Sequence, residues 1–176
     1  KVIVVSSTRV YGESAGERVD DDTCPQPSDA QGQVLLNMEA AWQQAYPSEC
    51  VIVRPTGIYG TSVARMIKLA ETTKSYPKLH WSNRINIDDL AAFLVYLLYV
   101  EHTEKSYICS DSQPLPLHEI IQWFQQQLGF PALGLESDVP SGKQIYASRM
   151  QQMNFELQHP HCFDDYLAFL AECESK

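Results

Sequence analysis

The sequence lacks the features that mark several classes of protein. Its formal net charge is −9, with 13 Lys and Arg against 22 Asp and Glu, so no basic surface for nucleic acid or an anionic membrane is expected. The longest apolar run, Leu94–Val100, is too short to cross a bilayer. The five cysteines form no C-x-x-C pair, which is typical of free thiols in a reducing compartment. We therefore expect a cytoplasmic protein that binds neither nucleic acid nor a membrane.

Motifs for bound groups are also scarce. None of the eight glycines forms the G-x-G-x-x-G spacing with which dinucleotide-binding folds hold a pyrophosphate. Gly12 and Gly16 frame the segment GESAG, but it leads into the acidic run Asp20-Asp21-Asp22, which would repel phosphate. His159-Pro160-His161 has a proline between its imidazoles and no second pair of ligands nearby, so no metal site is expected.

What is present is an alternation of short apolar strands with longer amphipathic helices, which is typical of an α/β chain. Val2–Val5 is a continuous Val/Ile run, the pattern of a parallel strand buried on both faces. Because such a strand usually lies inside a sheet, a chain that opens on it at Lys1 is expected to be a fragment or the mature part of a longer protein. The other predicted elements are the strands Val51–Val53 and Ser106–Cys109, and helices over Gln33–Gln44, Ser62–Thr72, Asp89–Glu101, Pro116–Gly129 and Cys162–Cys173.

Three segments carry a family resemblance. SSTRVYG, from Ser6 to Gly12, follows the first strand; RPTGIYG, from Arg54 to Gly60, follows the next; NRINIDDLA, from Asn83 to Ala91, enters a helix. In this order and spacing they resemble the extended short-chain dehydrogenases/reductases of the NAD-dependent epimerase/dehydratase family. The segments GQVLLNME, from Gly32 to Glu39, and Ser141-Gly142-Lys143 are similar to atypical bacterial members of that family.

The resemblance implies the C-terminal part of a Rossmann-like doubly wound parallel sheet with a small α+β substrate lobe. Residues 1–110 would belong to the Rossmann-like domain, with substrate-lobe insertions from about 61, and residues 111–176 would form the small lobe. The N-terminal dinucleotide-binding half would be absent. The intact protein is expected to bind NAD or NADP, whereas this chain alone can lack the cofactor. A small polar or nucleotide-sugar-like substrate and a homodimer through helix Gln33–Gln44 are also implied.

Ligands of doubly wound sheets bind beyond the carboxyl ends of the strands, where two of the three segments begin. By the resemblance, Ser7 would hydrogen-bond the reacting hydroxyl or carbonyl as the catalytic residue. The expected cofactor-binding residues are Ser6, Pro55, Thr56 and Gly57. The expected substrate-binding residues are Thr8, Arg84, Asn86 and Lys143. Structural roles remain open for each: loop hydrogen bonds for Ser6–Thr8, a tight turn for Pro55–Gly57, and a surface position for Lys143.

The chain departs from the family pattern on the helix Gln33–Gln44. Family members carry a Tyr and, one helical turn later, a Lys that lowers the pKa of the Tyr. Aligned on Glu39, these positions hold Gln31 and Leu35, and neither can titrate. Three interpretations follow: an NAD(P)-binding epimerase/dehydratase-like protein with the pair replaced, a non-catalytic dinucleotide sensor or scaffold, and a truncated product that self-associates.

Overall fold

The computed structural model describes residues 1–174, so the last two residues of the predicted lobe 111–176 lie outside it. No described helix is long and apolar enough to cross a membrane. The strands are β1 (Val2–Val5), β2 (Ala15–Val19), β3 (Cys50–Pro55), β4 (Gly57–Tyr59), β5 (Ser75–Tyr76), β6 (Leu79–Ser82), β7 (Arg84–Asn86), β8 (Ser106–Cys109), β9 (Leu115–Pro116), β10 (Gly134–Leu135) and β11 (Pro140–Ile145). The α-helices are α1 (Ala30–Ala45), α2 (Ala64–Thr72), α3 (Ile87–Tyr99), α4 (Leu117–Leu128), α5 (Ser148–Gln152) and α6 (Cys162–Glu174).

The three strands predicted from apolar runs form one parallel sheet in the order β1-β3-β8. The register pairs Val2 with Cys50 and Ile52 with Ser106. Every residue of β3 is buried, as expected for a central strand covered on both faces. The predicted α/β class and the Rossmann-like parallel sheet are therefore confirmed.

A second sheet of four strands has the order β2-β11-β6-β9. Strand β2 is not among the strands predicted from the sequence. The sequence of β2, AGERV, does not alternate apolar and polar residues. Most of its side chains are exposed, and it pairs with β11 through backbone hydrogen bonds. One side chain contributes directly: the Arg18 guanidinium lies 3.9 Å from the centre of the Tyr146 ring.

The helix ends follow ordinary capping chemistry. Helix α1 begins three residues earlier than predicted, because the Asp29 carboxylate accepts a hydrogen bond of 2.8 Å from the Gly32 amide. Helix α3 is capped by Asn86, whose Oδ1 accepts a hydrogen bond of 2.9 Å from the Asp88 amide. Helix α4 ends at the predicted Gly129, whose φ of 72° suits glycine.

Two large apolar clusters and a small third one, formed by Val4, Cys50 and Ile52, make up the core. One joins the parallel sheet to α3 and includes Val53, Phe93 and Ile108, together with Ile145 and Met150 from later in the chain. The second joins α2, α4 and α6. Since the first cluster takes residues from both sides of position 110, the predicted division into 1–110 and 111–176 stays a prediction.

A single carboxylate ties distant segments to the sheet. Asp21 is buried, and it accepts hydrogen bonds from the amides of Ile108 (2.6 Å) and Arg149 (2.9 Å) and from the Ser148 hydroxyl (3.0 Å). It therefore fixes the loop after β2 against both β8 and the start of α5.

Candidate functional site

Polar side chains meet at the carboxyl edge of the parallel sheet. Ser6 follows β1 and its amide donates to the Val53 carbonyl at 2.7 Å, while Thr56 follows β3 and its amide donates to the Cys109 carbonyl at 3.0 Å. The Thr8 hydroxyl donates to the carbonyl of Pro55 at 3.3 Å, so the two strand ends are joined. The structure thus brings together the predicted residues Ser6, Thr8, Pro55 and Thr56.

Ser6 is buried, with only 8% of the residue exposed, and its hydroxyl has no hydrogen-bond partner within residues 1–174. A buried hydroxyl without a partner loses about 1–3 kcal/mol of solvation free energy. Buried hydroxyls without a partner are rare in folded proteins, and a ligand or an ordered water at this edge would supply the missing hydrogen bond.

Ser7 lies beside this edge and has a structural task. Its Oγ accepts a hydrogen bond of 3.1 Å from the Arg9 amide and so caps the short 3-10 helix Thr8–Val10. The hydroxyl proton remains available to donate, because the cap uses only the oxygen. The capping role is therefore present, and the catalytic role of Ser7 stays a prediction.

The first turns of α1 lie next to this loop and contain Gln31 and Leu35, the two residues predicted to replace a Tyr–Lys pair. Gln31 and Leu35 line a pocket of about 430 Å³ together with Arg9, Ala30 and Val34. The only ionisable side chain in this lining is Arg9, whose Nε lies 3.0 and 3.1 Å from the two Asp29 carboxylate oxygens. The lining of this pocket contains no group that can exchange a proton near neutral pH.

Gly57 follows the strand end in the short strand β4. A Cβ atom at this position would lie 2.9 Å from the Asn83 carbonyl oxygen, so the close approach of β4 to β7 requires glycine. The turn interpretation therefore explains Gly57, and its contact with a cofactor stays a prediction.

Strands β4 and β7 form a two-stranded parallel ribbon, in which Gly57 pairs with Arg84 and Tyr59 with Asn86. Because side chains alternate along a strand, these four residues share one face of the ribbon. Helix α6 lies against this face, and its first turn makes three polar contacts with it, one through Cys162 and two through Asp165. The ribbon face thus connects the sheet domain to the end of the described chain.

Arg84 and Asn86 are buried at 4% and 3% exposure, and protein groups bond their polar atoms. Arg84 donates to the Ser82 hydroxyl at 2.7 Å and to the Cys162 sulfur at 3.7 Å. Asn86 caps α3 and donates to Asp165 at 3.1 Å. The structure places both under α6, and the Arg84 carbonyl also accepts a hydrogen bond of 2.9 Å from the Asp111 amide beyond β8. Contact of either residue with a substrate stays a prediction.

Lys143 lies in β11 and reaches across to the loop after the first strand, where its Nζ donates to the Tyr11 carbonyl. Burial lowers the pKa of Lys143, and the carboxylates of Glu13, Asp29 and Glu17 partly offset this effect. The Glu13 Oε2 atom is itself buried without a partner in the described chain. Lys143 is thus a half-buried cation near the start of α1, not the surface lysine of the structural alternative.

Two further buried groups were missed from the sequence. Glu39 and Arg54 form a bidentate ion pair with distances of 3.0 and 2.6 Å, and Arg54 also donates to the Tyr11 hydroxyl at 2.8 Å. Asp111 is 6% exposed, its Oδ1 accepts from the Gln113 amide, and its Oδ2 has no partner within residues 1–174. Burial raises the pKa of Asp111 to about 6. Asp111 could have been predicted as a site residue from the sequence, because it lies just beyond the carboxyl end of the predicted strand β8.

Metal ligation has no candidate in the described part of the chain. Within residues 1–174, no group of three or more His, Cys, Asp or Glu side chains is placed to hold a metal ion.

Among the comparisons with known proteins, only the one with solved structures found matches. No family model matches the chain, and no curated protein sequence matches it either. A protein from Methylobacillus flagellatus, assigned to the NAD-dependent epimerases/dehydratases, superposes with a TM-score of 0.86 at 34% identity. That match covers 98% of this chain and 64% of the other.

Two more distant structures share the fold. The dTDP-glucose 4,6-dehydratase of Bacillus anthracis in complex with NAD has a TM-score of 0.77 at 15% identity, over 99% of this chain and 63% of its own. The UDP-glucuronic acid 4-epimerase of Bacillus cereus in complex with NAD has a TM-score of 0.69 at 18% identity, over 89% and 56%. This chain spans less than two thirds of the length of each of the three proteins. It belongs to the extended short-chain dehydrogenases/reductases of the NAD-dependent epimerase/dehydratase family and corresponds to the C-terminal portion of its members.

Proposed function

We propose that this chain forms the substrate-side part of a protein that binds NAD or NADP together with a small polar or nucleotide-sugar-like substrate. The observation that carries the proposal is the Ser6 hydroxyl, which is buried without a partner at the carboxyl edge of the parallel sheet. Ligands of doubly wound sheets bind at this edge. The two NAD complexes of the same fold support a dinucleotide as one of the ligands.

In this proposal Ser6, Pro55, Thr56 and Gly57 contact the cofactor. Ser7 donates its hydroxyl proton to the reacting carbonyl or hydroxyl, while its oxygen keeps the cap on Arg9. The substrate-binding set is Thr8, Arg84, Asn86 and Lys143. Of these, Thr8 and Lys143 lie near the loop after β1, and the other two require access beneath α6.

A specific observation favours the second candidate, a dinucleotide sensor or scaffold without catalysis. The pocket at the start of α1 is lined by Gln31 and Leu35 where a Tyr–Lys pair would otherwise exchange the proton. A protein that binds the cofactor without turnover needs no such pair. The two candidates predict the same binding site and differ only in whether Ser7 is needed for a reaction.

Two further properties belong to the proposal. A homodimer would use α1, whose exposed face carries Trp42 and Tyr46 stacked with their ring centres 5.7 Å apart. A cytoplasmic location agrees with the free thiols of four cysteines, which are Cys24, Cys50, Cys109 and Cys162.

The test is calorimetric titration of NAD(H) and NADP(H) into two proteins: this chain, and this chain joined to the N-terminal portion of the Methylobacillus relative. We expect binding to the joined form. Ser6→Ala should weaken it about fivefold, the equivalent of roughly 1 kcal/mol for one hydrogen bond. Ser14→Ala, at an exposed serine of the same loop, should leave the affinity unchanged.

Absence of binding to a joined form that is folded by circular dichroism would refute the proposal. A Ser6→Ala affinity equal to that of the unsubstituted protein would refute the placement at the sheet edge. Once a substrate is found, Ser7→Ala separates the two candidates: it should abolish turnover in an enzyme and leave a sensor unaffected.

A further inference from the structure

A polar cluster fastens the start of α6 to the ribbon of β4 and β7. Its centre is the Asp165 carboxylate, which accepts hydrogen bonds from the Tyr59 hydroxyl at 2.7 Å and from the Asn86 amide nitrogen at 3.1 Å. The third partner is His159, whose Nδ1 lies 2.6 Å from Asp165 Oδ1. Because a carboxylate can only accept, the imidazole must donate from Nδ1, which also orients the ring.

A second carboxylate holds the backbone of the same histidine. Asp89, in the first turn of α3, is 1% exposed and accepts from the amides of Gln158 and His159 at 2.8 and 2.9 Å. The histidine is therefore fixed twice, by its amide to α3 and by its ring to α6. Its position depends on neither helix alone.

The two attachments differ in chemistry. The bonds to Asp89 come from backbone amides, which keep their protons over the physiological pH range. The contact with Asp165 is an ion pair only when the imidazole is protonated. The His159 and Asp165 side chains are 29% and 15% exposed, so water reaches the pair yet screens it less than it screens a surface pair.

We infer that His159, Asp165, Tyr59 and Asn86 form a pH-sensitive clasp that holds α6 over the face of the ribbon. The clasp closes fully when His159 is protonated and Asp165 is ionised. When the imidazole loses its proton, the hydrogen bonds from Tyr59 and Asn86 remain and the ion pair is lost. The attachment of α6 then weakens without being released.

Three carboxylates act on His159, and each favours its protonated form. Asp165 contributes from α6 through a hydrogen bond, and Asp89 and Asp88 contribute through charge from α3. The hydrogen bond to Asp165 is the largest cause that raises the pKa of His159, and burial opposes it. Burial also raises the pKa of Asp165, but the bonds from Tyr59, His159 and Asn86 outweigh it and leave this pKa lowered.

These directions set the pH window. The pKa of the folded-state histidine is raised, so its contribution to stability is full below about pH 6.5 and is lost as the pH rises through the raised value. The pKa of the folded-state carboxyl group is lowered, so its contribution is full above about pH 4 and is lost below that. The clasp is thus strongest between roughly pH 4 and pH 6.5 and weakens above neutrality.

The experiment is amide hydrogen exchange by NMR on the whole chain, with protection factors of α6 measured at pH 6 and pH 8. We expect protection to fall from pH 6 to pH 8, by up to about tenfold for each unit by which the pKa of His159 is raised. His159→Gln, which can still donate to Asp165 but cannot titrate, should remove this fall. His161→Gln is the matched control: His161 lies two residues away with Gln113 as its side-chain partner, so the fall should persist.

The inference is overturned if α6 protection is the same at both pH values, or if His159→Gln shows the same fall as the unsubstituted chain. Should His159→Gln fail to fold, titration of the His159 Cε1 signal in the unsubstituted chain and in Asp165→Asn decides. A midpoint that drops in Asp165→Asn supports the clasp, and an unchanged midpoint overturns it. The measurement uses no cofactor or substrate, so it stands or fails independently of the proposed function.

Discussion

Each of the two Tyr-Gly segments of this chain supplies a tyrosine to a polar cluster. The two clusters are built alike but differ in chemistry. Tyr11 of the first segment bonds Arg54, which pairs with Glu39. Tyr59 of the second bonds Asp165, which pairs with His159. Each cluster contains a tyrosine, a carboxylate on a helix and a cation. In the first the cation is an arginine, which is always charged, and in the second it is a histidine, whose charge depends on pH.

Burial matches this difference in chemistry. The side chains of Arg54 and Glu39 are 8% and 2% exposed, and a bidentate pair with a third bond to Tyr11 satisfies most of their hydrogen-bonding capacity. Burial lowers the pKa of Arg54, but its contacts with Glu39 and Tyr11 outweigh this and raise it. The second cluster is nearer to solvent. A permanent attachment thus fixes α1 to the central strand, and an adjustable one fixes α6 to the ribbon.

The largest expected effect breaks the permanent cluster. Glu39→Gln removes the charge that pairs with Arg54 and leaves a buried guanidinium uncompensated, which costs about 3–5 kcal/mol of unfolding free energy. Urea denaturation followed by circular dichroism measures this. Glu71→Gln, at an exposed helix position paired with Lys68, is the control, because surface pairs contribute little. Equal stabilities for the two variants would contradict the structural role given to Glu39.

A smaller effect is expected at the glycine after the second tyrosine. Gly60 has φ of +110°, and a Cβ there would lie 2.9 Å from Asn86 Oδ1. Gly60→Ala should cost about 1–3 kcal/mol through backbone strain, and it should also disturb the clasp. In Gly12→Ala the added Cβ would lie 2.2 Å from the Gln26 carbonyl oxygen, so that variant is destabilised too, but without a change in pH dependence. Denaturation at pH 6 and pH 8 distinguishes the two.

The smallest effects come from removal of the two hydroxyls. Tyr11→Phe leaves a buried Arg54 nitrogen without its partner and should cost about 2 kcal/mol, because the bond involves a charged group. Tyr59→Phe leaves Asp165 with two other donors and should cost about 1 kcal/mol. The unfolding temperatures of the two variants rank the two losses of stability. The reverse ranking would mean that the adjustable cluster is the stronger one.

The sequence predicted the parts of the fold whose cause is local. Val2–Val5 and Ser106–Cys109 are strands because of their β-branched and apolar residues, and Gly129 ends α4 because glycine adopts the left-handed conformation. The polar strands β2 and β11 were not predictable in this way, since most of their stability comes from a partner distant in sequence.

The candidate site was predictable to the extent that it follows strand ends. Ser6 and Thr56 lie together, as expected, because the loops after β1 and β3 must meet at one edge of a parallel sheet. Their contact with a ligand stays a prediction. The contacts of Arg84 and Asn86 beneath α6 were not, because they join residues 78 and 79 positions apart. The spacing of apolar residues in the sequence does not predict which helix will cover which strand. For the same reason the partner of Glu39 was missed, although both residues of the pair lie within segments that carried the family resemblance.

The three hydrogen bonds of Asp21 also have a kinetic consequence. They connect positions 87, 127 and 128 residues apart, so each forms only after a long stretch of the chain has been brought together. Contacts of this range require the closure of long loops before they contribute, which slows folding relative to a chain of local contacts. The parallel pairing of β1, β3 and β8 imposes the same delay. Folding of this chain is therefore expected to be limited by the search for its topology, with the Asp21 bonds among the last to form.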